Sequence, residues 1–242
     1  MNKEPKSTTE EIWQRFDNDV ERFSNLETGQ SATIDAVLAL DLIAESAAAV
    51  TPEARDLIDV GCGAGNFSLK LLRQLPCMNV RLLDLSQPML ERAVDRVSLE
   101  TTGTVQAEQG DLREVDLGVE TADVIVAAAV LHHLRTEEEW RGVFQKFYAA
   151  LRPGGSVWIF DLIKAEIPAL ESLMKSRYSD YLVGLKDGEY RDQVFAYIEK
   201  EDTPQSLTFQ TNLLQQVGFS QVEVLHKNVC FAAFGAVKII DS

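Results

Sequence analysis

One stretch constrains the fold more than any other: DLIDVGCGAGNFSLKLL, Asp56 to Leu72. Leu57–Val60 is a short apolar run of the kind that forms a buried strand. It leads directly into Gly61, Gly63 and Gly65, after which Phe67–Leu75 takes up a helical spacing. Strand, glycine loop and helix in that order make the first half of a βαβ unit. Glycine has no Cβ, so the chain turns tightly and a ligand can approach the bare backbone. In an open α/β sheet such a loop lies at the carboxyl ends of the strands, where ligands bind. The free N–H groups of the following helix point into the same crevice.

The rest of the chain continues the alternation. Val80–Leu83 predicts a second strand ending in Asp84, and Ser86 caps a helix with Pro88 in its first turn, where a missing N–H costs little. Thr104–Glu108 is a weaker strand signal. Val124–Ala129 is apolar throughout, as a central parallel strand covered on both faces would be. Thr136 and Glu139 form a capping box for a helix reaching about Leu151, Pro153-Gly154-Gly155 predicts a turn, and Ser156–Leu162 predicts the next strand. Residues 163–203, rich in Tyr, Lys, Arg and Glu, break the rhythm and predict two inserted helices. A helix from Thr203-Pro204 to Gly218 follows. Val222–His226 and Phe231–Ile239 are joined by too few residues for a crossover, so this pair is expected to be antiparallel.

Ahead of the alternation, residues 8–50 read as helical. Trp13, Phe16, Val20 and Phe23 form one stripe, and a second helix after Ser31 is broken by Thr51-Pro52. The expected architecture is therefore α/β: a doubly wound, Rossmann-like, mostly parallel seven-stranded sheet with a C-terminal antiparallel hairpin. Residues 1–50 form a helical N-terminal extension or lid, 51–242 the main domain, and 163–203 a helical insertion before the last strands.

Composition narrows the partners. A chain of 242 residues can bury a core without staples, and its formal net charge of −15 argues against a broad nucleic-acid footprint. Three cysteines without a C-x-x-C fit neither a disulfide framework nor a zinc cluster, and the three histidines show no ligand spacing, so no metal is expected. The start MNKEPKSTTEE has no apolar core, and the longest apolar run, Val124 to Leu131, is too short to span a bilayer. The expectation is a cytoplasmic protein with no membrane partner; a homodimer is left open.

The loop pattern G-x-G-x-G is one residue short of the dinucleotide fingerprint, and no Lys-Ser or Lys-Thr follows to make a phosphate loop. Asp59, two residues before the first glycine, would repel a pyrophosphate but suit an ammonium, which points to a nucleoside bearing an amino acid. Asp84 stands where an acid accepts bonds from both ribose hydroxyls. Asp111, in QGDLRE, stands where a carboxylate or its neighbouring amides could meet an adenine edge, or where it could simply cap a helix. His132 follows the fourth strand at the mouth of the crevice and is the candidate general base. Alternatively, the His132-His133 pair shapes the loop and stacks on substrate. Phe16 and Phe23 are candidates for a lid or for plain packing. In the insertion, Tyr178, Tyr181 and Arg191 could line an acceptor pocket, with the arginine forking onto a carboxylate.

Asp59-Val60-Gly61-Cys62-Gly63-Ala64-Gly65, Asp84, Gly110-Asp111, the strand leading to Leu131-His132-His133-Leu134, and Leu151-Arg152-Pro153-Gly154-Gly155 together resemble the successive motifs of class I S-adenosylmethionine-dependent methyltransferases. The resemblance covers residues 55–165 closely, and the expected C-terminal hairpin matches that family's topology. It implies S-adenosylmethionine as cofactor, S-adenosylhomocysteine as product, and methyl transfer to a small-molecule acceptor. It places Gly61, Cys62 and Gly63 against the methionyl part with Asp59 near its amino group, and Asp84 on the ribose. It also places Leu85 and Met89 along the adenine, Gly110, Asp111 and Leu112 at the base, and Ala128 near the sulfonium. A second similarity, carried by RFDNDVERF, the insertion, Val217–Phe219 and CFAAFGAVKI, is to carboxy-S-adenosylmethionine synthases of tRNA wobble-uridine modification. It implies a carboxymethyl donor made with prephenate, and an arginine, here Arg191, for the added carboxylate.

Overall fold

The computed structural model of the chain describes residues 6–17, 20–25 and 31–239, with the backbone alone at 22 and 23. Three helices come first: α1 (Thr9–Asp17), α2 (Val20–Ser24) and α3 (Ala36–Val50). The alternation then runs β1 (Asp56–Val60), α4 (Asn66–Gln74), β2 (Asn79–Asp84), α5 (Gln87–Val97), β3 (Val105–Gln109), β4 (Ala122–Ala128), α6 (Glu137–Ala150) and β5 (Leu151–Leu162). The insertion holds α7 (Pro168–Leu185) and α8 (Gly188–Glu201), and α9 (Leu207–Val217), β6 (Gln221–Asn228) and β7 (Phe231–Val237) complete the chain.

The seven strands form one sheet in the order β3-β2-β1-β4-β5-β7-β6. Strands β1 to β5 pair in parallel, and β7 lies antiparallel to both β5 and β6. The doubly wound sheet and its closing hairpin are as expected from the sequence. The order reverses between β1 and β4, and a crevice opens at the carboxyl ends of strands at such a switch point.

Strand alternation sorts the core into two layers. Leu57, Val80, Leu82, Val124, Val126, Trp158 and Phe160 face α3, α4 and α5. Ile58, Val60, Leu83, Ile125, Ala127, Val157 and Ile159 face α6 and α9. Helix α3 meets its layer with Ala39, Leu40, Ile43, Ala44 and Ala47, a three- and four-residue spacing whose small side chains let the helix lie close to the sheet. The caps read from sequence form as expected: Ser86 Oγ accepts from the Met89 N–H and Thr136 Oγ1 from the Glu139 N–H.

Three local expectations need correction, and one lies outside the described residues. Pro153-Gly154-Gly155 does not turn the chain; it lies within β5, and the register between β4 and β5 shifts there. The segment stays in the sheet because the Gly154 N–H donates to Lys238 O and the Lys238 N–H donates to Gly155 O, while Gly154 takes φ +85°, open to glycine. Helix α9 begins after the Ser206 cap rather than at Thr203-Pro204. The α1 stripe is Ile12 and Phe16, one turn apart, rather than Trp13 and Phe16; Trp13 is exposed. The stripe's last member, Phe23, has a side chain outside the described residues.

Gly235 of β7 lies directly across from Trp158 of β5. The indole is fixed at its other end by a 2.9 Å bond to Ser156 Oγ. A Cβ at Gly235 would lie 2.3 Å from Trp158 Cε3 and 2.5 Å from the Val157 carbonyl. Gly235→Ala is therefore expected to lower the unfolding free energy by roughly 1–3 kcal/mol, read as a drop in urea midpoint.

Candidate functional site

A cavity of about 660 Å³ opens at the switch point. Its floor is the loop after β1. Gly61, at φ +63°, and Gly63, at φ +50°, both occupy the left-handed region, so the loop needs glycine for its own geometry as well as for access. A Cβ at Gly61 would lie 2.6 Å from Val130 Cγ2, on the facing loop after β4. The Gly61 and Cys62 amides both donate to Leu83 O, and the Gly63 amide donates to Asp84 Oδ2 at 2.8 Å. Asp84 Oδ1 accepts from the Ser86 amide at 2.9 Å. One carboxylate thus ties the glycine loop to the end of β2 and to the start of α5. Burial raises the Asp84 carboxyl above its ordinary range, against the amide bonds from Ser86 and Gly63 that lower it.

Most of the residues expected at the cofactor line this cavity. Gly61, Cys62, Gly63, Asp84, Leu85 and Met89 form one side. Gly110, Asp111 and Leu112 form the next, and Ala128 with Val130 the wall below β4. Phe16 and His133 close the far side, where their rings meet edge to face. Cys62 contributes size rather than reactivity: burial, with Asp84 and Asp59 nearby, pushes its thiol well up. The Asp111 carboxylate is gripped by Arg113, whose Nε reaches Oδ1 at 2.9 Å, so its oxygens are largely occupied.

Other expectations fail on geometry. Asp59 is buried behind the loop and does not line the cavity. It shares the face of Leu57, two residues earlier, and so points at α4, where Ser68 N–H and Oγ–H both donate to its Oδ2. His132 is likewise outside the cavity. Its Nδ1 faces Asp161 Oδ1, its backbone N–H donates to Asp161 Oδ2 at 3.0 Å, and its Nε2 lies 3.7 Å from Asp202 Oδ1. Burial alone would lower this imidazole's pKa, but the two carboxylates outweigh it and raise it to about 9. A buried imidazolium cannot collect a proton from a substrate, which removes His132 as general base. His133 is the histidine that faces the cavity; burial and the His132 charge lower its pKa.

The insertion does not line the acceptor side as expected. Tyr178 and Tyr181 pack on the α3 layer, and their hydroxyls donate to Ala32 O and Ser31 O. Arg191 pairs with its neighbour Asp192 on an exposed part of α8. The apolar face of α7 and α8 is spent covering the sheet beside Phe231. Only the end of α8 approaches the cavity. There Lys6 Nζ donates to Asp202 O and Ser7 Oγ to Glu201 Oε1, placing residues 6–9 along the rim.

The sequence reading missed Lys6 to Thr9, Ile12, Arg113 and Arg135, all of which line the cavity. Arg113 stands inside the QGDLRE stretch and Arg135 directly after Leu134, so proximity to motifs was the available signal. Nothing local marked Asp161 or Asp202.

Residues 57–155 match the family model described as a methyltransferase domain. Among curated proteins the chain is 27% identical over 188 residues to a carboxy-S-adenosyl-L-methionine synthase of Pseudoalteromonas translucida, covering 76% of each chain. It is 28% identical over 193 residues to the enzyme so named in Shewanella amazonensis, covering 78% of each. Among solved structures it superposes on magnesium protoporphyrin IX methyltransferase of Synechocystis, with bound S-adenosylhomocysteine, at TM-score 0.63 and 16% identity, covering 96% of this chain and all of that one. Human N-acetylserotonin methyltransferase, in complex with S-adenosylmethionine, follows at TM-score 0.61 and 16% identity; the chain spans 58% of its length. These structures share the fold. Residues 57–155 thus match a methyltransferase domain, and the chain has the Rossmann-like fold that these S-adenosylmethionine-dependent methyltransferases share. The chain is also similar, at 27% identity over 188 residues, to a carboxy-S-adenosyl-L-methionine synthase, without the identity that would place it among those enzymes. No described helix is long and apolar enough to cross a membrane.

Asp59 gives a pH test of the loop's foundation. Burial pushes its carboxyl from an ordinary 3.8 up to about 6, against the Ser68 bonds and with the Asp84 charge adding to the rise. Between those values the native state keeps a proton that the unfolded chain has released, so native stability falls as pH rises through the window. The loss is about 3 kcal/mol and is complete above the native value. In Asp59→Asn this component is absent. Urea unfolding on either side of the window is expected to show wild type losing stability relative to the variant as pH rises.

Proposed function

We propose that the cavity binds S-adenosylmethionine and that the chain transfers its methyl group to a small-molecule acceptor, releasing S-adenosylhomocysteine. The observation that carries this reading is Asp84 at the end of β2, held by the Gly63 and Ser86 amides beside a bare glycine floor. Those two amides take about half of a carboxylate's roughly four acceptor sites, and the remainder suits a ribose diol. Leu85 and Met89 offer an apolar slot for the adenine, and the backbone at Gly61 to Gly63 suits the methionyl part. Asp59, expected near the ammonium, has no part in this arrangement.

Bound S-adenosylmethionine supplies an electrophilic methyl on a positive sulfur. In-line displacement disperses that charge, so the chain's own contribution is position rather than strong anionic stabilisation of the sulfonium. Ala128 and Val130 give that end an apolar wall. Phe16, Ile12 and His133 bound the volume left for the acceptor, and residues 6–17 act as the lid over it. Arg113 Nη2 donates to Thr9 Oγ1 at 2.7 Å and Ser86 Oγ to Asp17 Oδ1 at 2.5 Å, which would fasten that lid at both ends. A proton acceptor is needed only for an acceptor of high pKa.

A second reading, a carboxy-S-adenosylmethionine synthase, is favoured by the curated relatives and by one cation. Arg135 lines the cavity and gives its N–H groups to the neutral oxygens of Glu201, Ser7 and Thr203, so its charge can act on a carboxylate there. Arg191 does not line the cavity and pairs with Asp192 instead.

Two experiments separate these readings. Mass spectrometry of the nucleoside that copurifies with the chain is expected to show the plain sulfonium compound or its demethylated product; a carboxylated nucleoside would select the second reading. Asp84→Ala is expected to weaken S-adenosylhomocysteine binding at least tenfold, about 1.4 kcal/mol, with an unchanged far-ultraviolet spectrum. Unaltered affinity would remove the basis of both.

A further inference from the structure

The loop after β4 and the end of α8 bring together three side chains, of which the methyl-transfer reading uses only His133, and that one only as a wall of the acceptor volume. His132, His133 and Asp202 each place one donor atom within 4.8 Å of the other two. Asp202 Oδ1 lies 3.2 Å from His133 Nδ1 and 3.7 Å from His132 Nε2. A divalent ion bound at ~2.0–2.1 Å to two such donors at a tetrahedral angle holds them about 3.3 Å apart. The two observed separations bracket that value.

Three further observations say that these atoms are prepared for something. First, Asp202 Oδ1 and His133 Nδ1 are buried and face each other at 3.2 Å without the geometry of a hydrogen bond, and His133 Nε2 is buried with no hydrogen bond among the described residues. The Asp202 side chain is 2% exposed, so its Oδ1 is desolvated and has only the two imidazoles to face. Second, His132 is oriented from behind. Asp161, fully buried, takes its Nδ1 side and its backbone N–H, which turns Nε2 toward Asp202. A carboxylate on the far nitrogen of an imidazole is the usual support of a metal-ligating histidine. Third, the two segments are clamped together by the backbone: the Thr203 N–H donates to His132 O at 2.7 Å. The donors therefore do not depend on a flexible loop to meet.

We infer that His132 Nε2, His133 Nδ1 and Asp202 Oδ1 form a preorganised three-donor site for a divalent transition-metal ion. Two imidazoles and one carboxylate suit zinc or its neighbours rather than magnesium or calcium, which take mainly oxygen, and the His132 ring releases its proton to solvent as the ion takes its Nε2 lone pair. Three protein donors leave a fourth position, as in open zinc sites. His133 also lines the cavity, so the ion would sit against the acceptor side of the site. Sequence spacing concealed the group because Asp202 lies at the end of the insertion, far from the histidine pair.

The test is metal binding itself, independent of activity. The full chain, stripped with a chelator and dialysed against micromolar zinc chloride near neutral pH, is expected to retain about one zinc per chain by elemental analysis. Asp202→Asn and His133→Phe are each expected to weaken retention at least tenfold. Asp161→Asn, which removes only the support, is expected to weaken it by about tenfold or more. Cys77→Ser, at an exposed thiol, should leave it unchanged. Cobalt chloride in place of zinc should give a visible absorption band in wild type that is absent in His133→Phe. His133→Phe keeps an aromatic ring against Phe16 and leaves Asp202 in place, so it keeps the test valid should Asp202→Asn fail to fold. Substoichiometric zinc in wild type, or retention that survives both ligand substitutions, would overturn the inference and leave the cluster as an ion network closed by a proton on His132.

Discussion

The Gly63 amide donating to the Asp84 carboxylate is the contact on which the site depends. It joins the loop after β1 to the end of β2, and the same carboxylate reaches the first turn of α5 through Ser86. The loop after β1, the end of β2 and the start of α5 are thereby fixed by one side chain. The Gly61 and Cys62 amides on Leu83 O extend the same seam by two bonds. The loop holds its left-handed turns because its amides are satisfied by the neighbouring strand, two by the Leu83 carbonyl and one by the Asp84 carboxylate. What remains exposed to the cavity is bare backbone and the rest of a carboxylate, a combination suited to a neutral sugar and an amino acid rather than to a phosphate.

Much of this was legible in the sequence because the signals were local. The glycine spacing, the acid closing the second strand, the serine and threonine caps and the short link between the last strands each act over a few residues, and each appears where it was read. The lining of the cavity from the glycine loop to Leu112 follows from such signals almost residue by residue. The acceptor side did not follow, because it is assembled from distant pieces: residues 6–16, the loop after β4 and the end of α8. Tyr178 and Tyr181 look like pocket residues in a polar, aromatic-rich segment. Covering the sheet next to Phe231 accounts for them instead, through burial and two bonds to the chain before α3.

Two corrections share one cause. Asp59 and His132 each sit in the right motif, yet neither side chain enters the cavity. Asp59 follows the strand's two-residue alternation onto the α4 side, where Ser68 receives it. His132 is drawn inward by Asp161, and His133 is left facing the cavity. A motif locates a residue along the chain; the pleat of the strand and the charges behind it decide which way the side chain points. The same inward pull brings His132 to Asp202 and builds the donor cluster that spacing alone hid.

The most direct test of the central claim is hydrogen–deuterium exchange of the full chain with and without S-adenosylhomocysteine. The account predicts new protection concentrated in residues 61–65, 84–89 and 110–112, the segments that form the cofactor side of the cavity. Exchange left unchanged in those segments at saturating ligand, or protection confined to α7 and α8, would contradict it.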